Sequence, residues 1–216
     1  MNAIETLLIA LVLTNLVLLG ASRLHNAIRI VALQGIGLGV LPILAHHGGM
    51  LWAAVLLGAG SALIKGLLFP AMLRRALRET HSHREMEPFI GFNLSLLCGV
   101  GALALSFWLG ARLPLPWPPV ADLLVPAGLF TVWTGLFMIV ARRKAITQVL
   151  GFIVLENGIF TLGIVLVEAM PLLVELGVLL DIFVAVFVMG IIVFNINREF
   201  DHINTDQLAA LREDAP

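Results

Sequence analysis

Seven apolar runs dominate the chain: Ala3–Gly20, Ile30–Ala45, Met50–Leu73, Phe89–Ala111, Leu123–Ala141, Ala145–Val167 and Pro171–Ile196. A helix needs roughly 20 apolar residues to cross the hydrocarbon core of a bilayer. In that medium a helix also satisfies its backbone polar groups internally. The pattern predicts an all-α fold, a polytopic transmembrane helix bundle of about seven spans. The composition fits: 60% of residues are hydrophobic, 12% are charged and mean hydropathy is +1.02. Soluble domains carry about a quarter charged residues, whereas a lipid-facing surface needs apolar side chains outside as well as inside. The first run has no basic n-region and no small-residue cleavage site, so it reads as a retained helix and not a signal peptide. The second run is short and holds Gly35, Gly37, Gly39 and Pro42. It is expected to be kinked or tilted, with a re-entrant segment and six spans as the alternative.

Lys and Arg accumulate on the cytoplasmic side of membrane proteins. With the N-terminus outside and seven spans, the inner segments hold Arg23, Arg29, Arg74, Arg75, Arg78, Arg84, Arg142, Arg143, Lys144, Arg198 and Arg212. Only Arg112 then lies outside, and Lys65 lies within a span. Removing one helix would scramble this alternation, so the charges support both the topology and the count. Trp52, Trp108 and Trp117 fall at outer span ends or in the outer loop, where an aromatic belt belongs. The Pro-rich outer loop 113–122 separates an N-terminal four-helix part, 1–112, from a three-helix part, 123–196. A polar tail, 197–216, follows on the cytoplasmic side.

Several chemistries are excluded. Cys98 is the single cysteine, so the chain forms no internal disulfide and supplies no cysteine-based zinc or iron–sulfur site. No nucleophile–base pair, phosphate loop or metalloprotease motif occurs, and no catalytic residue, cofactor or metal is expected in this chain. Gly35, Gly37 and Gly39 lack the preceding strand that a dinucleotide fingerprint requires. His46 and His47 in an outer turn, and His81 and His83 in an inner loop, read as solvated. A net charge of −1 gives no footing for a nucleic-acid partner. Small residues recur every fourth place at Ala54, Gly58, Ala62 and Gly66, and again at Gly91, Ser95 and Gly99. These ridges let neighbouring helices approach closely.

Four ionisable residues lie within the apolar runs: Lys65, Glu156, Glu175 and Asp181. Each costs about 2.5–3.5 kcal/mol at a helix centre on insertion scales, so each is paired, hydrated or used. Glu156 lies about 16 Å along its run, close to the midplane. Asp181 sits at similar depth on the following antiparallel run. Lys65 lies about 12 Å from the inner end of its own run, so its side chain either reaches the same layer or snorkels inward. Glu175 lies near the outer interface. A proton relay and a static ion pair that fixes helix register both account for these charges.

From Leu123 to the C-terminus the chain resembles subunit K of bacterial complex I and the C subunit of multisubunit cation/proton antiporters. The resemblance rests on the basic turn Arg142-Arg143-Lys144, the run GFIVLENGIF with Glu156 at mid-helix, an acid (Asp181) in the next span and the tail FDHINTDQL. It implies proton transfer at Glu156 and, by approximate position, at Asp181. With four further helices in front, the whole chain is similar to the hydrogenase-4 membrane component E family. That resemblance implies a non-redox, non-catalytic membrane subunit of a group 4 nickel–iron hydrogenase or formate hydrogenlyase, an oxidoreductase complex related to complex I. It implies location in a bacterial or archaeal plasma (inner) membrane and other membrane subunits as partners. Metal centres and redox chemistry would belong to other chains. The candidate proton path is Glu156, Asp181, Lys65 and Glu175. The alternatives are a subunit of a cation/proton antiporter without a hydrogenase, and a purely structural membrane anchor.

Overall fold

In the computed structural model, residues 2–45, 51–79, 89–113 and 121–166 are described. All of their regular structure is helical: α1 (Ala3–Gly20), α2 (Leu24–Leu44), α3 (Leu51–Leu63), a π-helical turn (Ile64–Leu68), α4 (Phe69–Glu79), α5 (Phe92–Gly110), α6 (Leu124–Ala141) and α7 (Ala145–Leu166). Among the described residues five helices, α1, α2, α5, α6 and α7, are long and apolar enough to cross a membrane. The protein is therefore a multi-pass membrane protein, helical in its described regular structure. The expected run Pro171–Ile196, with Glu175 and Asp181, lies outside the described residues.

The second run is longer than expected. Its helix starts at Leu24 rather than Ile30, and 21 residues are helical. The extra turns are amphipathic: Leu24, Ala27 and Ile28 are buried, while Asn26 and Arg29 are exposed. The polar face hides these turns from a search for continuous apolar residues. Pro42 falls in the last turn of α2, where the loss of one N–H donor disturbs little of the helix.

The chain from Leu51 to Glu79 is one rod interrupted only by the wide turn at Ile64–Leu68. Leu63 and Phe69, which flank that turn, both keep right-handed helical dihedrals. A bare backbone brings this rod against α2. A Cβ on Gly39 would lie 2.6 Å from the Gly58 carbonyl and from the Ala62 Cβ. One on Gly35 would lie 2.7 Å from the Lys65 Cβ, and one on Gly66 would lie 2.5 Å from the Ile36 Cγ1. Gly58, Ala62 and Gly66 of the small-residue ridge are thus the face that α2 covers. On α5, Ser95 is buried and Gly99 abuts Leu19, but Gly91 meets open space. The second ridge is shorter than its spacing suggested.

α6 and α7 form the tightest hairpin. Gly135 packs on the backbone of Gly151 and Leu155, and Gly128 and Gly158 meet two turns further along. On both helices the glycines are spaced by seven, so the pairs align on one seam of an antiparallel crossing. The hairpin then packs in one core with Leu19 of α1, Val31 of α2, Phe69 of α4 and Leu103 of α5. Faces turned away from this core stay apolar and exposed, as at Leu33 (65%), Leu97 (67%) and Val140 (77%), as a surface in contact with lipid requires.

Candidate functional site

The π-helical turn places Lys65. Pi turns are rare; they occur mostly as single turns within α-helices, frequently at functional sites. Lys65 is fully buried, and its Nζ lies 2.9 Å from the Glu156 Oε1 at 3% exposure. The ammonium also lies 4.7 Å from the centre of the Phe160 ring. Phe160 is one turn beyond Glu156 on α7, so carboxylate and ring share a face. The sequence left two destinations for this lysine, the layer of the carboxyls or the inner interface, and the structure brings it to Glu156. The pair joins two hairpins: α2 with the π-turn rod, and α6 with α7.

The glycine contacts make this meeting possible. Gly35 leaves no room for a side chain where α2 crosses the Lys65 backbone. Gly158 seats α7 against Val132 of α6 on a different face from Glu156. The arrangement can hold a fixed ion pair or exchange a proton. A carboxylate and an ammonium in contact inside a low-dielectric layer are each stabilised by the other's charge.

A second polar cluster lies where α1, α2 and α6 meet, and the sequence reading missed most of it. The Gln34 Nε2 donates to the Thr14 Oγ1 and to the Asn15 Oδ1, each at 2.9 Å. The Asn15 Nδ2 donates to the Thr131 Oγ1 at 2.8 Å, and the Thr131 hydroxyl donates to the Ala127 carbonyl at 2.7 Å. Asn15, Gln34 and Thr131 are all buried. The available signal was Asn15 itself, an amide deep in a largely apolar first span. The Gln34 Oε1 has no hydrogen-bond partner; neither has either side-chain polar atom of the buried Asn157.

Arg142 is, among the described residues, the second cation buried to zero exposure. It follows the last residue of α6 in extended backbone, φ −117° and ψ 139°. Its Nη2 donates to the Leu19 carbonyl at 2.9 Å at the end of α1, and its guanidinium lies 5.2 Å from the Phe92 ring of α5. Burial lowers its pKa from the ordinary arginine value. The sequence marked Arg142 only as an inner-side charge, yet it ties three helix ends together. Nearby, the Phe89 N–H donates to the Ala141 carbonyl and Arg143 stacks over Phe89 at 4.7 Å. At the other end of α5, Arg112 stacks on the exposed Trp108 at 4.3 Å. Among the described residues no group of three or more His, Cys, Asp and Glu side chains is arranged to hold a metal.

No family model matches the chain, and no solved structure matches it. Among curated proteins, hydrogenase-4 component E of Escherichia coli strain K12 is 29% identical over 161 residues, covering 73% of this chain and 74% of that protein. Its counterpart in Shigella flexneri matches with the same figures. The uncharacterized protein Rv0085 of Mycobacterium tuberculosis is 31% identical over 204 residues, covering 94% of this chain and 93% of its own. Likeness at this level along nearly the full length of both chains is a shared family, and this chain belongs to the same family as Rv0085.

Proposed function

We propose that the protein is a non-redox membrane subunit of a hydrogenase assembly related to complex I, and that Lys65 and Glu156 are part of a transverse proton path through it. The observation that carries the reading is the Lys65–Glu156 pair, buried in the middle of a bundle whose sequence is distantly similar to hydrogenase-4 component E. Intramembrane ionisable residues mark ion and proton pathways more often than they mark simple packing. Asp181 is the next proposed member of the path, on the run after α7, and Glu175 stands nearer the outer surface. The reading takes Leu51–Glu79 as a sixth crossing and Pro171–Ile196 as a seventh. The N-terminus then lies outside and the tail on the cytoplasmic side of the plasma membrane, where other membrane subunits meet it.

Glu156→Gln tests the proposal. The variant keeps the shape of the side chain and removes its exchangeable proton. In sealed vesicles holding the complex with its natural partners, the expected result is normal assembly with proton translocation reduced at least tenfold. Wild-type translocation in this variant would rule Glu156 out as a relay. Failure to assemble would support the pair as a structural fixture.

A further inference from the structure

Burial of a polar atom without a partner is costly. In the hydrocarbon layer no bulk water is at hand to offset the loss. The Gln34 Oε1 is such an atom: the residue is 5% exposed, and this oxygen accepts no hydrogen bond. The other half of the same amide is fully used, because both Nε2 hydrogens are held by Thr14 and Asn15 of α1. These two bonds fix the amide in one orientation, so the open acceptor has a set direction. Gln34 is also next to Gly35, which packs directly on the Cβ and backbone of Lys65. A fixed, open carbonyl therefore stands one residue from the point where α2 crosses the lysine's own turn. Lysine carries three rotatable donors on a flexible four-carbon stem.

We propose that the Gln34 Oε1 is the alternate acceptor of the Lys65 ammonium, occupied when Glu156 takes up a proton. This assignment rests on the proton-path reading. In the state seen here the Lys65 ammonium is ion-paired with the Glu156 carboxylate. A proton arriving from the aqueous phase adds to that carboxylate and leaves a neutral carboxylic acid. The ammonium keeps its own three protons, no longer faces a negative charge at Glu156 and turns to the Gln34 carbonyl. The Phe160 ring remains close enough to share the charge. When Glu156 gives its proton onward, the carboxylate reforms and draws Lys65 back. The Thr14–Asn15–Thr131 chain is the anchor that holds the second acceptor in place, and the π turn supplies slack at the root of the lysine. Among the described charged residues, Lys65 is the one paired with Glu156. Glu5, Arg23, His25, Arg29, Arg74, Arg75, Arg78, Glu79, Arg112, Asp122, Arg142, Arg143 and Lys144 lie in the terminal parts of the helical segments or in loops, and Glu175 and Asp181 lie outside the described residues.

Infrared difference spectroscopy on the full chain in its native complex, reconstituted in lipid vesicles, tests the assignment. The carboxylic-acid band lost in Glu156→Gln reports protonation of Glu156. The band of isotope-labelled glutamine lost in Gln34→Met reports the amide carbonyl. In the wild-type protein the two bands are expected to change with one midpoint, the amide carbonyl moving to lower frequency as Glu156 protonates. Removing the acceptor in Gln34→Met is expected to lower the proton affinity of Glu156 at least tenfold. Asn15→Leu, which breaks the anchor but keeps the carbonyl, is expected to lower it less. In a Lys65→Met background, Gln34→Met is expected to change nothing further. An amide band that stays still while Glu156 titrates, or a midpoint unmoved by Gln34→Met, overturns the role of Gln34 and leaves the proton-path reading standing. A Glu156 band that never appears at any pH overturns both.

Discussion

Lys65 and Arg142 are equally buried, and each lies over an aromatic ring, yet their surroundings make them different devices. Lys65 sits deep in the bundle against a carboxylate, a partner whose charge one proton can cancel. Arg142 sits at the end of α6 against a backbone carbonyl, a partner whose charge does not change. The chemistry of the acceptor, more than the depth of burial, separates a cation that can respond from one that can only hold. The strong, always-charged guanidinium suits the second task, and the more easily moved ammonium suits the first.

The largest expected effect comes from breaking the responsive pair. Lys65→Met leaves the Glu156 carboxyl buried without its cation, and should cost about 3–5 kcal/mol of stability. The loss should read out as a lower unfolding midpoint of the solubilised complex. Adding Glu156→Leu should recover most of the loss, because a buried ion pair is often replaceable by well-packed apolar residues. No recovery in the double variant would mean that Lys65 is held chiefly by something other than Glu156.

Arg142→Leu should cost less, about 1–3 kcal/mol for the abandoned Leu19 carbonyl. No single second substitution should rescue it, since its acceptor is backbone. Proton translocation per assembled complex should be unchanged, in contrast to Glu156→Gln. A selective loss of translocation in Arg142→Leu would erase the distinction between the two cations. The smallest effects belong to the rings. Phe160→Leu should cost about 1–2 kcal/mol, because its cation is fully desolvated, and Phe92→Leu less than about 1 kcal/mol, because its ring lies farther from the charge. Equal costs in the same unfolding measurement would show that the aromatic contacts do not distinguish the sites.

Much of the bundle was legible because lipid imposes a simple rule on sequence. The expected first span, Ala3–Gly20, coincides with α1, and the expected fifth and sixth differ from α6 and α7 by a single residue at one end. Glu156 was legible for the same reason, as a charge in the middle of an apolar run. What stayed hidden depends on facing surfaces. Lys65 could be placed in depth but not given a partner, because helix depth says nothing about which helices touch. Arg142 lies in a basic turn, where its composition matches that of any cytoplasmic loop. Gln34 and Asn15 are single amides on different helices, and only their meeting makes a network. The paired glycines of α6 and α7 were passed over because their spacing is seven, not four. The π turn leaves no mark in a run as uniformly apolar as Ala62–Phe69, apart from the lysine it carries.

The glycine seam also decides where the bundle is stiff. With backbone close to backbone at Gly135–Gly151 and Gly128–Gly158, and the Val132 and Leu162 side chains packed tightly against the seam, little room is left between the helices to absorb a displacement. The hairpin that bears Glu156 behaves as a rigid arm, as close-packed interiors do. The compliant part is on the opposite side, in a widened turn whose hydrogen bonds depart from the regular helical ladder. A load placed on the ion pair is therefore taken up by twisting the lysine's strut while the glutamate's arm stays still, so the bundle has a built-in spring and a built-in stop.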